Sequence, residues 1–170
     1  ILFMQLVFAR GGPSDDLLRR HFVNVIRLSD LSLELYEQAR ESLLGALPGS
    51  DNRLGALLAG GDYLELCIIT VRRALNAVDV TSRSPQSPRI ERPQRKLLLS
   101  LNKHLAPLRD TIIHIEESIT RGEIAEGQSH ALLVSGDGAS VEIGAHSLKL
   151  DELAAMVRHL HRLSHLYATF

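Results

Sequence analysis

No tryptophan occurs in the 170 residues, and Phe and Tyr together supply only seven. That scarcity argues against a nucleic-acid platform of stacked aromatic rings. The single cysteine, Cys67, excludes an internal disulfide framework and fits a reducing compartment, so the expected location is cytoplasmic. Flanked by Leu66 and Ile68, it reads as a small buried hydrophobe. Neither sign of charge dominates: 19 basic residues face 20 acidic ones, for a net charge of -1. Such a balance gives no wholesale field for nucleic acid or a membrane surface, although a local patch remains open. No run approaches the roughly 20 apolar residues of a membrane span, and no membrane partner is expected. The apolar opening, residues 1–8, lacks a basic leader and a cleavage site. It reads as a short strand or helix packing on the core or against a partner.

What the chain does have is helical periodicity, in a length that one domain, residues 1–170, can bury around a core. Gly11-Gly12-Pro13 breaks the opening, and Ser14 is a candidate N-cap with Asp15 and Asp16 in the first turn. A long helix follows over residues 15–47, with Leu18, Phe22, Val25, Ile26, Leu35 and Leu43 inward, and residues 47–50 stop it. Residues 51–61 read as a short turn before Gly60-Gly61. Asp62 with Glu65 then reads as a capping box opening a helix to Val80. Pro85 and Pro88 mark a loop.

In the next helical stretch Leu98, Leu101, Leu105, Leu108, Ile112, Ile115 and Ile119 alternate spacings of three and four, which keeps one face apolar. Pro107 inside it predicts a kink or a split, and Gly122 predicts the end. The period then changes. Residues 131–134 and 141–143 around Gly136-Asp137-Gly138 read as a β-hairpin within residues 129–148, and residues 145–148 as a short third strand. Asp151 is the expected cap of a last helix with Leu153, Val157, Leu160, Ser164 and Tyr167 on one stripe. The expected fold is mainly α: an up-and-down bundle of four main helices with a small β-hairpin before the last.

Ionisable groups concentrate in Arg109-Asp110-Thr111-Ile112-Ile113-His114, followed by Glu116 and Glu117. On a helix Asp110, His114 and Glu117 share one side, whereas Arg109 lies about 140° from His114. The two would meet across a two-fold interface, where each helix faces its symmetry mate. A histidine moves protons near neutral pH, and an arginine holds a phosphate, which together suit RNA cleavage. Arg92, Arg95, Lys96 and Lys103, with Arg89, lead into this stretch as a candidate phosphate-tracking rim.

These residues resemble the motif of the HEPN superfamily: an Arg, commonly followed by a polar residue, and a His after four to six intervening residues. Arg109, Asp110 and His114 match it with four. The resemblance implies a compact helical bundle, a homodimer, and metal-independent RNA cleavage in which the substrate's 2′-hydroxyl attacks the neighbouring phosphate. It further implies that Arg109 binds the scissile phosphate, His114 transfers protons and Asp110 orients one of them. A toxin-system role with an antitoxin partner belongs to the same implication. The hairpin lies outside the resemblance. The chain also departs from the family in placing another helix after the motif. On that last helix Arg158, His159 and His165 satisfy the pattern a second time.

No cofactor or metal is expected. His161 and His165 are four apart beside His159, but a metal would need ligands from other helices, for which His21 is the one early candidate. No Glu-x-x-His occurs, which weighs against a carboxylate-bridged di-metal bundle. The rival to the nuclease is a non-catalytic helical dimerisation or interaction module, in which the motif residues are dispersed or salt-bridged on a convex surface.

Overall fold

The computed structural model describes residues 13–46, 52–125, 131–135 and 138–170. The expected segment at residues 1–8, the Gly11-Gly12 break, the helix stop at 47–50 and the Gly136-Asp137 part of the turn lie outside them. Helix α1 spans Asp16–Gly45, α2 Arg53–Thr81, α3 Arg92–Thr120 and α4 Leu150–Ala168. Between α3 and α4 the strands β1 (Leu133–Val134), β2 (Ser140–Ile143) and β3 (His146–Lys149) form one antiparallel sheet in that order. The fold is the mainly α bundle with a β-hairpin, the hairpin enlarged to three strands.

The start of α1 shifts by one residue from expectation. Asp15 is the N-cap, its carboxylate accepting from the Leu17 and Leu18 amides, while the Ser14 hydroxyl reaches Gln86. At the last helix Lys149 is the N-cap, and Asp151 lies inside the first turn. Its charge there still favours the helix dipole. The larger correction is α2, which runs without a break through Gly60-Gly61 from Arg53, so Asp62 caps nothing. The two glycines serve packing. A Cβ on Gly60 would sit 2.7 Å from Leu43 Cδ2, and one on Gly61 3.1 Å from the Leu132 carbonyl oxygen. Gly60→Val is expected to destabilise the fold by about 1–3 kcal/mol through overpacking, read as a lower denaturation midpoint.

Helix α2 is the central layer. It pairs with α1 along most of its length and with α3 on another side, while α4 packs chiefly on α1. Its composition and length would also suffice to cross a membrane. Buried residues from all four helices and the sheet form one cluster. Within it the Phe22 and Tyr167 rings meet edge to face at 4.8 Å. The Tyr167 hydroxyl lies 2.7 Å from Thr81 Oγ1, which also sits 3.0 Å from the Ala77 carbonyl. Thr81 thus donates within its helix and accepts from Tyr167. Tyr167→Phe is expected to cost about 1 kcal/mol, measurable by denaturant titration.

The sheet follows its alternation. Val141, Ile143 and Leu148 point into the core, and Val141 stands opposite Leu148. Gly144, with φ +56°, makes the β2–β3 turn in a conformation other residues rarely adopt, and it sits beside the Thr111 methyl of α3. The sheet is thereby seated next to the motif helix.

Candidate functional site

Helix α3 carries Arg109, Asp110 and His114 together with the rim residues Arg92, Arg95, Lys96 and Lys103. Pro107 does not split it: the helix is continuous from Arg92 to Thr120. Proline removes one backbone hydrogen bond, to the Lys103 carbonyl. Both residues are exposed, so water can satisfy that carbonyl. The apolar seam is buried at Leu98, Leu105, Leu108 and Ile112, half-buried at Leu101 and Ile115, and exposed by Ile119. The helix therefore peels away from the core just beyond the motif.

Its polar residues fall into two groups. At about 100° per residue, Lys96, Lys103 and His114 lie within about 20° of one another on the outward face, beside Arg92 and Asp110. Arg95, Asn102 and Arg109 turn toward α2. Arg95 lines a shallow cleft with Leu75, Asp79 and Asn102. Arg92 and Arg95 also share an open depression with Arg89 where α3 begins. The rim residues are thus strung along the helix rather than gathered around His114.

Arg109 closes on its neighbour: Nη1 is 2.6 Å from Asp110 Oδ1. His114 Nδ1 lies 3.6 Å from Glu117 Oε2, and Arg121 shares that carboxylate. His114 is 56% exposed, so its ion pair is worth little to the fold. Within one chain Arg109 and His114 are not brought together.

A further part of this surface was not foreseen in full. Arg72, on α2, hydrogen-bonds through Nη1 to both Asn76 and Asn102, and Asn102 Nδ2 donates to Asn76 Oδ1 at 3.1 Å. Burial holds the Arg72 guanidinium below its ordinary pKa. The Asp110 carboxylate opposes that shift, and Arg109 adds to it. Two guanidinium groups and one carboxylate thus interact across the α2–α3 seam. The four-residue spacing of Arg72 and Asn76 was visible in the sequence, but the partnership with Asn102 depends on how the helices pack.

The second copy of the pattern is arranged differently. Arg158 and His165 are seven apart and share a face of α4. The His161 and His165 rings meet edge to face at 5.1 Å. His161 Nδ1 is 3.3 Å from Asp30 Oδ1, within ion-pair reach but without hydrogen-bond alignment. Among the described residues no group of three His, Cys, Asp or Glu is placed to hold a metal ion.

Cys67 offers no nucleophile. It is fully buried, its thiol donates toward the Ser32 carbonyl, and burial pushes its pKa up to about 12. A thiol reagent at pH 8 is expected to modify it no faster than the protein opens, and rapid stoichiometric labelling of the folded protein would contradict this placement. No family model matches the chain, and no curated protein or solved structure matches it either.

Proposed function

We propose that the protein is a HEPN-like, metal-independent endoribonuclease whose active site is completed by a second copy of the chain. The observation that carries this reading is the outward ribbon of α3, where Lys96 and Lys103 line up with an exposed His114, while Arg109 lies about 140° around the helix beside Arg72. A single-stranded RNA backbone lying along that ribbon would meet cations first and the proton-transfer group last. Arg109 would balance charge on the scissile phosphate, and His114 would take the 2′-hydroxyl proton or return one to the leaving 5′-oxygen. Asp110 now holds Arg109, and bound phosphate would compete for that guanidinium. A cytoplasmic location, a homodimer and an antitoxin partner belong to the same proposal.

The test is incubation with RNA oligonucleotides in EDTA, with product ends read by mass spectrometry. The expected products carry 2′,3′-cyclic phosphate and 5′-hydroxyl ends. An absence of cleavage, or cleavage that EDTA abolishes, contradicts the assignment.

A second reading is the non-catalytic dimerisation or interaction module. The closed Arg109–Asp110 and His114–Glu117 pairs favour it, as do Leu54 and Leu58, exposed at 70% and 59% near the start of α2. Oligomerisation lost on Leu54→Ser/Leu58→Ser, in a protein with no RNA cleavage, is the result that this reading predicts.

A further inference from the structure

Helices α3 and α4 do not pack closely against each other; both lean on other elements, and an open groove of about 310 Å³ separates them. Leu97 and Leu101, one turn apart, line it from α3, and Arg158 and Arg162, also one turn apart, line it from α4 together with Met156 and His159. No acidic side chain lines it. At one end His104 and Glu152 face each other across the helices at 3.8 Å.

We infer that this groove receives an acidic amphipathic helix of a partner protein, with its apolar stripe on Leu97 and Leu101 and its carboxylates on Arg158 and Arg162. Charge complementarity argues for that occupant. Both arginines are exposed, and among the described residues neither forms an ion pair with a carboxylate. Two guanidinium groups about 6 Å apart along one helix match two carboxylates at the same spacing on another, each pair able to close two parallel N–H···O bonds. His159 adds a specific signal: its Nε2 is shielded from solvent and has no hydrogen-bond partner. Burial, and then Arg162, hold its pKa below the ordinary value, so the ring is neutral near pH 7 and can donate to a partner's oxygen. A shielded polar atom left without a partner costs free energy that such a bond recovers. The apolar side is aliphatic, with Leu97 46% exposed, and no aromatic ring lines the groove for a base to stack on. Leucine-like side chains at i and i+4 fit that surface. Both walls are helices, whose backbone groups are already paired, so the groove offers side chains alone. An incoming helix, which pairs its own backbone, loses no hydrogen bonds there, whereas an extended strand would.

The surface is separate from the motif of α3, because Leu97 and His114 point about 100° apart around that helix. It stands whether or not the protein cleaves RNA. The test is titration of the full chain with stapled, alanine-based helical peptides, followed by fluorescence anisotropy and by amide shifts of residues 97, 101, 156 and 159. The probe carries a leucine stripe at i, i+4 spacing and, beside it, glutamates four apart. It is expected to bind saturably and to shift those amides. A peptide with lysine for glutamate, and one of the same composition with the stripe scrambled, should each bind at least about tenfold more weakly. The double variant Arg158→Glu/Arg162→Glu, at two exposed positions, should keep the parent's circular dichroism and reverse the preference, taking the lysine peptide over the glutamate one. Leu97→Ser should weaken the glutamate peptide without changing which charge is preferred. No saturable binding of the glutamate peptide, equal binding of the lysine or scrambled peptide, or an unchanged preference in the double variant would overturn the proposal. An RNA oligonucleotide that shifts these amides when the peptide does not would overturn it in favour of nucleic acid. An oligomer of the parent chain that the double variant dissolves would overturn it in favour of a second copy.

Discussion

Alanine at His114 is expected to lower RNA cleavage at least about 100-fold, the usual contribution of a positioned general acid or base. Arg109→Ala should lose a similar or larger factor, because it removes charge stabilisation at the phosphate. Neither change should disturb the fold. His114 is mostly solvent-exposed and its partner Glu117 keeps Arg121, while Arg109 pairs with the adjacent Asp110 at the surface. Circular dichroism and the denaturation midpoint should therefore match the parent within error. Cleavage that persists in His114→Ala would remove the histidine from the mechanism.

Phe22→Ala is expected to have the opposite profile, with a large effect on stability. Phe22 is fully buried against Tyr167 on α4, and Phe170 approaches the same ring at 6.0 Å. Truncating a buried aromatic ring costs about 3–5 kcal/mol. In a chain of this length that lowers the thermal midpoint by about 10 °C. Leu166→Ala, at a residue 43% exposed on α4, should stay within about 1 kcal/mol of the parent. If the two variants cost the same, the packing of α4 onto α1 described above is wrong.

The contrast between these sites explains how much the sequence could tell. Elements with strong periodicity were legible: the inward residues of α1 are buried except for half-buried Leu43, the seam of α3 is buried up to Ile112 except for half-buried Leu101, and the stripe Leu153, Val157, Leu160, Ser164 and Tyr167 is buried throughout. The end of α3 before Gly122, with φ +66°, was legible for the same local reason. What failed depended on neighbours. Gly60-Gly61 looks like a helix break in isolation, yet tertiary packing against Leu43 and Leu132 holds it inside α2. Pro107 looks disruptive, yet an exposed helix face tolerates a missing hydrogen bond. At the candidate site, the angle between Arg109 and His114 followed from helix geometry, but Asn102 bridging to Arg72 did not. The Arg-to-His spacing occurs twice in this chain, so spacing by itself does not choose between α3 and α4. The choice of α3 rests on its outward cationic ribbon.

The central claim is that Arg109 of one protomer works with His114 of another, and subunit complementation tests it most directly. Arg109→Ala and His114→Ala proteins, each inactive, would be mixed, unfolded and refolded together. In a mixed dimer one of the two composite sites receives an intact arginine and an intact histidine, while the other loses both. Random pairing makes half of the dimers mixed, so RNA cleavage should return to about one quarter of the parent level. If refolded mixed dimers form but recover no activity, Arg109 and His114 do not make a shared site, and the account fails.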